Sequence, residues 1–290
     1  MKPRRVLVTG AGGQLGQAIV RAFADGDVIA CGRASLDIAD PVAVRRAVAD
    51  ARPDAVINCA AFNDVDGAED APVDAFAVNA FAVRSLARAA DAAGAALVHY
   101  GTDFVFFDSP GRVPYSEDAP ASPRSVYSAS KLVGDWFALE GARGFVLRVE
   151  SLFGTPVGWA GRRGTMEKIV DALEAGQEVR AFTDRIVSPS YVEDVAAATR
   201  YLLDHGAAPG LYHCVNSGHT TWYELAEEAG RILGVSPRLT PVLVDDVPMK
   251  AVRPRFCALD NGKLAAAGFP MPPWQDALRR WLARERRPAA

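Results

Sequence analysis

Long hydrophobic runs are missing from this chain: no apolar stretch of its 290 residues reaches the ~20 needed to span a bilayer. A basic excess is missing too. Its 32 lysines and arginines are set against 35 acids, for a formal net charge of -3, which argues against nucleic-acid binding. Cysteine is sparse and unpaired in spacing. Cys31, Cys59, Cys214 and Cys257 form no Cys-x-x-Cys clamp for zinc, and a chain this long is no small secreted scaffold in need of disulfides. The thiols read as small apolar core residues. A secretory leader is not apparent, since Met1-Lys-Pro-Arg-Arg5 leads directly into Val6-Leu-Val-Thr9. The expectation is a cytoplasmic protein without membrane or nucleic-acid partners. The one strongly basic segment, Arg279-Arg280 to Arg284-Glu-Arg286-Arg287, reads as the solvated face of a C-terminal helix.

What is present is material for a core: 50% of the residues are hydrophobic, enough for one large domain or two small ones. In the first half, short apolar runs at Arg5-Thr9, Asp27-Cys31, Ala55-Cys59, Ala96-Tyr100 and Gly144-Val149 alternate with helical, alanine-rich stretches. The helices are predicted at Gln14-Ala24, Pro41-Ala51, Pro72-Ala93 and Val126-Leu139, with Asp40 and Ser125 as N-caps. Alternation of this kind builds a parallel sheet covered on both faces, and right-handed crossovers make it a doubly wound Rossmann sheet. After residue 150, Gly154-Thr-Pro156, Ser188-Pro189 and Pro270-Met-Pro-Pro273 break the rhythm. Helices are still expected at Thr165-Ala175, Val192-His205, Trp222-Leu233 and Pro273-Arg284. The fold class is therefore α/β: a Rossmann domain over 1–150 and a smaller C-terminal α/β substrate-binding lobe over 151–290. The lobe is expected to pack on the sheet's carboxyl edge, partly interleaved with the first domain.

Three glycines mark the cofactor end. In Gly10-Ala-Gly-Gly13-Gln14-Leu15-Gly16, the first allows the tight turn, the second admits a pyrophosphate to the backbone, and the third lets helix and strand pack closely. The second strand ends at Ala30-Cys-Gly32-Arg33, where NAD-preferring sites place a carboxylate for the ribose hydroxyls. Gly32 stands there instead, and Arg33 offers charge to a 2′-phosphate, so NADPH is favoured and NADH is the alternative. Asp37-Ile38 resembles the acidic-apolar pair that brackets an adenine in many such enzymes.

Tyr127-Ser-Ala-Ser-Lys131, downstream of Thr102-Asp103, marks the chemical end. Reducing a ketone requires a proton on oxygen as well as hydride on carbon. Tyr127 is the candidate acid. An unperturbed phenol, near pKa ~10, exchanges protons poorly at neutral pH, and an ammonium one helical turn away favours the phenolate. Lys131 supplies it, because positions i and i+4 share a helix face, and it can also hold the nicotinamide ribose. Thr102 follows the fourth strand at the ligand-binding edge and can donate to the same carbonyl oxygen.

Together these residues resemble the extended short-chain dehydrogenase/reductases, and within them the dTDP-4-dehydrorhamnose reductases. Asn58-Cys-Ala60-Ala61-Phe62, Ala77-Val-Asn79, Thr102-Asp103-Phe104-Val105-Phe106 and Lys131-Leu-Val-Gly134-Asp135 are similar to that family's motifs. So are Tyr212-His213, Thr221-Trp222-Tyr223-Glu224, Arg253-Pro254, Leu259-Asp260 and Pro273-Trp274 in the C-terminal lobe. The resemblance implies NAD(P)H-dependent reduction of the 4-keto group of a nucleotide-linked 6-deoxyhexulose. Thr102, Tyr127 and Lys131 would be catalytic, and Ala60, Ala61, Phe62 and Asn79 would line the cofactor cleft beside Gln14 and Leu15. Asp103, Phe104, Val105, Phe106, Ser151, Arg185 and Arg253 would meet the substrate, Arg253 as a bidentate diphosphate ligand.

The chain departs from the family at several points. Gly101 and Phe104 replace a serine and a tyrosine, Ser151 stands where a sugar-contacting tryptophan is expected, and the loop Asp184-Arg185-Ile-Val-Ser188-Pro189-Ser190 is altered. Phe104 also occupies the place where nucleotide-sugar dehydratases carry an acid, which argues against dehydration. The alternatives are a nucleotide-sugar epimerase and an NADP-binding regulatory subunit similar to the partner of methionine adenosyltransferase. Nothing in the sequence chooses between a monomer and a homodimer.

Overall fold

Six parallel strands form one sheet in the computed structural model, which describes residues 5–108, 111–154 and 163–285. Residues Met1–Arg4, Thr155, Pro156, Arg286 and Arg287 of the segments discussed above lie outside the described residues. The strands are β1 (Arg5–Thr9), β2 (Asp27–Cys31), β3 (Ala55–Asn58), β4 (Ala96–Thr102), β5 (Gly144–Val149) and β6 (Gly210–His213), in the order β6-β5-β4-β3-β1-β2. The chain steps outward from β1 to β2 and then returns to the other side of β1 at β3. That reversal opens a crevice at the carboxyl ends of β1 and β3, where ligands bind in such sheets.

Strands β3, β4 and β5 are buried at every residue, as expected of parallel strands covered on both faces. The helices that cover them are α1 (Gln14–Ala22), α2 (Pro41–Ala51), α3 (Ala82–Ala92), α4 (Val126–Leu139), α5 (Thr165–Glu174), α6 (Val192–Asp204), α7 (Trp222–Leu233) and α8 (Trp274–Glu285). Alternation along β1 divides the core. Val6 and Val8 join the side chains of α1, α5, α6, α7 and α8 in the larger cluster, whereas Leu7 joins those of α2 and α3 in the other.

One expectation is corrected here. The predicted helix Pro72-Ala93 is broken into Pro72–Phe76, a π-turn at Ala77–Phe81, and α3. The second half of the chain meets the first directly: β6 pairs with β5, and α6 packs on α1. Arg200 of α6 reaches Asp25 and the carbonyl of Ala22, while Arg21 of α1 pairs with Glu193. Residues beyond 150 thus supply the edge strand β6 and a helix packed against α1. Among the described residues no helix is long and apolar enough to cross a membrane.

Candidate active site

Two adjoining cavities run along the carboxyl edge of the sheet, one of about 720 Å³ and one of about 580 Å³, sharing Gly13, Cys59, Ala60, Ala61 and Asn63. The first is lined by Gly10, Arg33, Asp37, Ile38 and Phe62. The second is lined by Gln14, Leu15, Gly16, Thr102, Asp103, Phe104, Tyr127, Lys131, Ser151, Arg185 and Arg253. One continuous cleft therefore holds nearly every residue singled out in the sequence.

The glycine turn fits a dinucleotide mechanically. A Cβ on Gly16 would lie 2.2 Å from the Gly10 carbonyl oxygen, so α1 can start this close to β1 only without a side chain there. Its N-terminal backbone N–H groups face the second cavity with no side-chain cap of their own, which leaves them for an anion. Arg33 stands at the far end of the first cavity, and no acid occupies the position before it.

Helix α4 starts where Ser125 and Ser128 cap each other reciprocally and Glu69 accepts from the Val126 amide. That start fixes Tyr127, whose ring meets Phe104 edge-on with centroids 5.9 Å apart. Burial pushes the Tyr127 phenol well above its ordinary range, with the Thr102 hydroxyl opposing. Lys131 lines the same cavity one helical turn further on. Its ammonium donates to the Tyr100 carbonyl, and burial lowers it to about 8 against the pull of Asp135.

The register of the sheet explains what surrounds Lys131. Thr9, Asn58 and His99 are paired across β1, β3 and β4. The Thr9 hydroxyl donates to Asn58 Oδ1 at 2.6 Å, and Asn58 Nδ2 lies 3.1 Å from His99 Nδ1. Burial, then the Lys131 charge, keeps His99 well below its usual range and hence neutral. Asp135, one turn beyond Lys131 on α4, pairs with Arg148 of β5 at 3.0 Å. This buried row was not recognised as functional from the sequence. Its signal was a polar residue at the same level of three successive apolar strands.

Three predicted site residues do not reach the cleft. Val105 and Phe106 are fully buried with Leu132, Val215 and Leu259, and Phe106 stacks on Tyr115 at 4.2 Å. A 3₁₀ turn at Asp103–Val105 sends the chain inward immediately after Phe104. Asn79 is buried as well. Its amide holds both the N–H and the carbonyl of Phe62 and donates to Ser130, so it positions the cleft wall rather than lining it.

On the substrate side, Phe104 lies beneath two guanidinium groups, Arg185 at 5.3 Å and Arg253 at 5.8 Å from its ring centroid. Arg253 is steadied by Asp66 at 3.0 Å. Ser151 sits in the left-handed region at φ +44°, so a side chain there leaves β5 in a direction the ordinary extended backbone would not give. Below these residues lie Glu150 and Cys257, both fully buried. Cys257 also donates its thiol to Glu150 at 3.2 Å.

Comparison with known proteins places this geometry in context. Residues 4–287 match the family model described as the RmlD substrate binding domain. The chain is 41% identical over 285 residues to a dTDP-4-dehydrorhamnose reductase of Streptomyces griseus, with 94% of this chain and 91% of the relative covered. A probable dTDP-4,6-dihydroxy-2-methyloxan-3-one 4-ketoreductase of Streptomyces antibioticus is 35% identical over 283 residues, covering 95% and 93%. Among solved structures, a dTDP-4-dehydrorhamnose reductase of Bacillus anthracis in complex with NADP superimposes with a TM-score of 0.90 at 30% identity, covering 98% and 99% of the two chains.

Proposed function

Since the chain belongs to the dTDP-4-dehydrorhamnose reductase family, we propose that it reduces the 4-keto group of a dTDP-linked 6-deoxyhexulose with NADPH. One observation carries this: Thr102, Tyr127 and Lys131 line the same cleft as the glycine turn and the α1 N-terminus. Bound NADPH supplies the hydride. Tyr127, kept in its phenol form by burial, gives its proton to the carbonyl oxygen. Thr102 polarises that oxygen by donating a hydrogen bond to it. Lys131 holds the cofactor ribose with its ammonium, and Arg185 and Arg253 hold the substrate diphosphate. Phe104 supplies no acid for dehydration, and its ring fixes both the guanidinium pair and the edge of Tyr127.

The direct test is NADPH oxidation on addition of a dTDP-4-keto-6-deoxyhexose, with the 4-hydroxy sugar nucleotide as product. No oxidation of NADPH with any nucleotide-linked 4-keto sugar, in protein that still binds NADPH, would sink the proposal.

Two further expectations arise from the same cleft. Arg33→Ala removes a charged hydrogen-bond partner of the 2′-phosphate, worth about 1.5–3 kcal/mol. NADPH affinity should therefore fall by about tenfold or more while NADH affinity is unchanged. An equal loss for both cofactors, measured by fluorescence titration, would remove Arg33 from that role. Lys131 gives a pH dependence. Its ammonium is present below about 8 and lost as pH rises through that value, so NADPH binding to the free protein should weaken across it. Asp135 raises the lysine, and Asp135→Asn should move the midpoint to lower pH. A titration flat from pH 7 to 9 (roughly one unit either side of the expected midpoint) would contradict this assignment.

A further inference from the structure

Asp103, Glu150 and Cys257 bring one polar atom each within 4.8 Å of the others, directly beneath Thr102, and all three are buried. Two carboxylates this close and this deeply buried favour holding a proton between them. Burial raises both carboxyls, and the charge of Asp103 raises Glu150 further. These directions favour one proton on the pair, and the hydrogen-bond partners of each carboxyl bear on where it sits. Glu150 accepts from the Ser188 amide at 2.7 Å through one oxygen and from the Cys257 thiol at 3.2 Å through the other. That arrangement suits an anion. Asp103 has Thr102 Oγ1 at 3.0 Å from Oδ1 and the Cys257 thiol close by, but that thiol donates to Glu150 and Asp103 Oδ2 is buried without a hydrogen bond of its own. An orphaned oxygen is far less costly on a neutral acid than on a carboxylate.

The location of this proton matters for Thr102, which has a single hydroxyl hydrogen. If Asp103 were ionised, that hydrogen would be committed to it and Thr102 could not donate to a substrate. We propose that Asp103 is held as the carboxylic acid by the anionic Glu150, donates to Thr102 Oγ1, and so frees the Thr102 hydrogen for the substrate carbonyl. Thr102 Oγ1 also accepts from the Phe104 amide at 3.3 Å, which occupies its other lone pair and leaves one direction for its hydrogen. The proton delivered to product comes from Tyr127, and the Asp103 proton is not consumed. Glu150 is thus a positioning residue, acting through Asp103 on Thr102. The groups facing Asp103 are Thr102 at the end of β4, Tyr127 from α4, Glu150 beyond β5, Arg185 from the loop before Ile186, and Cys257 from the C-terminal segment. Among these, Cys257 and Arg185 favour the Asp103 anion, Arg185 favours the Glu150 anion as well, and the charges of the two carboxylates oppose each other.

This inference rests on the ketoreductase reading, and the experiment separates the two. Wild-type turnover of the dTDP-linked keto sugar tests that reading. The inference concerns the pH profile of kcat at saturating NADPH and sugar, which should fall as pH rises through the titration of the acid pair. Glu150→Gln keeps an acceptor for the Ser188 amide and removes the opposing charge. Arg185 then prevails, and the falling limb should move down by about one pH unit or more. At pH 8 (roughly the level to which Lys131 is lowered), kcat should drop by about tenfold with KM changing less. Adding Asp103→Asn to Glu150→Gln supplies an amide donor to Thr102, and kcat at that pH should rise above that of Glu150→Gln alone. Infrared spectra provide a readout independent of turnover and of any variant that fails to fold. A protonated-carboxyl stretch should be present in the wild type at neutral pH and absent in Asp103→Asn. An unmoved limb in Glu150→Gln, a carboxyl stretch that survives Asp103→Asn, or one equivalent of zinc retained by the purified protein would each overturn the proposal.

Discussion

Tyr127→Phe should lower kcat by about 10²–10⁴-fold, the usual contribution of a positioned general acid, and leave NADPH affinity within about twofold. The phenol is the candidate with both a proton to give and a place on the cleft wall beside Thr102. Its burial raises the phenol well above its ordinary range, so it stays protonated throughout the working range and acts as an acid during reduction. The same burial makes the bare phenolate costly after transfer, and Thr102 and Arg253, which both favour the anion, lie where they can lessen that cost. Phenylalanine preserves the ring and its edge contact with Phe104. A fall in kcat without a fall in thermal midpoint therefore reports proton transfer. The decisive measurement is single-turnover NADPH oxidation with the dTDP-linked keto sugar. A Tyr127→Phe rate within tenfold (roughly a tenth of the smallest expected loss) of wild type would transfer the acid role to another group.

Much of this site was legible because its signals are local. Helix α4 runs over Val126–Leu139 with Ser125 as its cap, as its composition and capping residue require, and the glycine turn follows a five-residue apolar strand. What the sequence concealed depends on direction and on distant pairing. Val105 and Phe106 continue a motif that reaches the cleft at Phe104, but the 3₁₀ turn rotates them into the core. The alanine-rich stretch from residue 72 to 93 suits α-helix throughout. It therefore gives no sign of the π-turn at Ala77–Phe81, within which Asn79 is buried against Phe62 and Ser130. Strand β6 contains Gly-Leu-Tyr-His with no β-branched residue, and its place in the sheet comes from pairing with β5. Glu150 and Cys257 lie 107 positions apart, and only the fold makes them neighbours.

That π-turn sets up the second large effect, at a residue outside the cleft. Gly134 lies on α4 one turn beyond Lys131, where the helix crosses Ala77–Phe81. A Cβ there would fall 2.1 Å from the Asn79 carbonyl oxygen and 3.3 Å from His99 Nε2. Neither neighbour can yield cheaply. The first is backbone in a segment whose side chain holds Phe62 by two hydrogen bonds, and the second belongs to the buried row beneath Lys131. Gly134→Ala should therefore force α4 away from the sheet and cost about 1–3 kcal/mol of stability, the range for an overpacked interior. Because Tyr127 and Lys131 ride on the same helix, kcat should fall as well, and more steeply than stability alone explains at temperatures where the variant is folded. Gly141→Ala is the control. Its Cβ would meet only Asp91 at an ordinary 3.5 Å, and its denaturant midpoint should shift by no more than about 0.5 kcal/mol equivalent. Equal midpoints for the two variants would mean that the contact between α4 and the π-turn is slack, and that the active-site helix is held in place by its packing on α3, β4 and β5 instead.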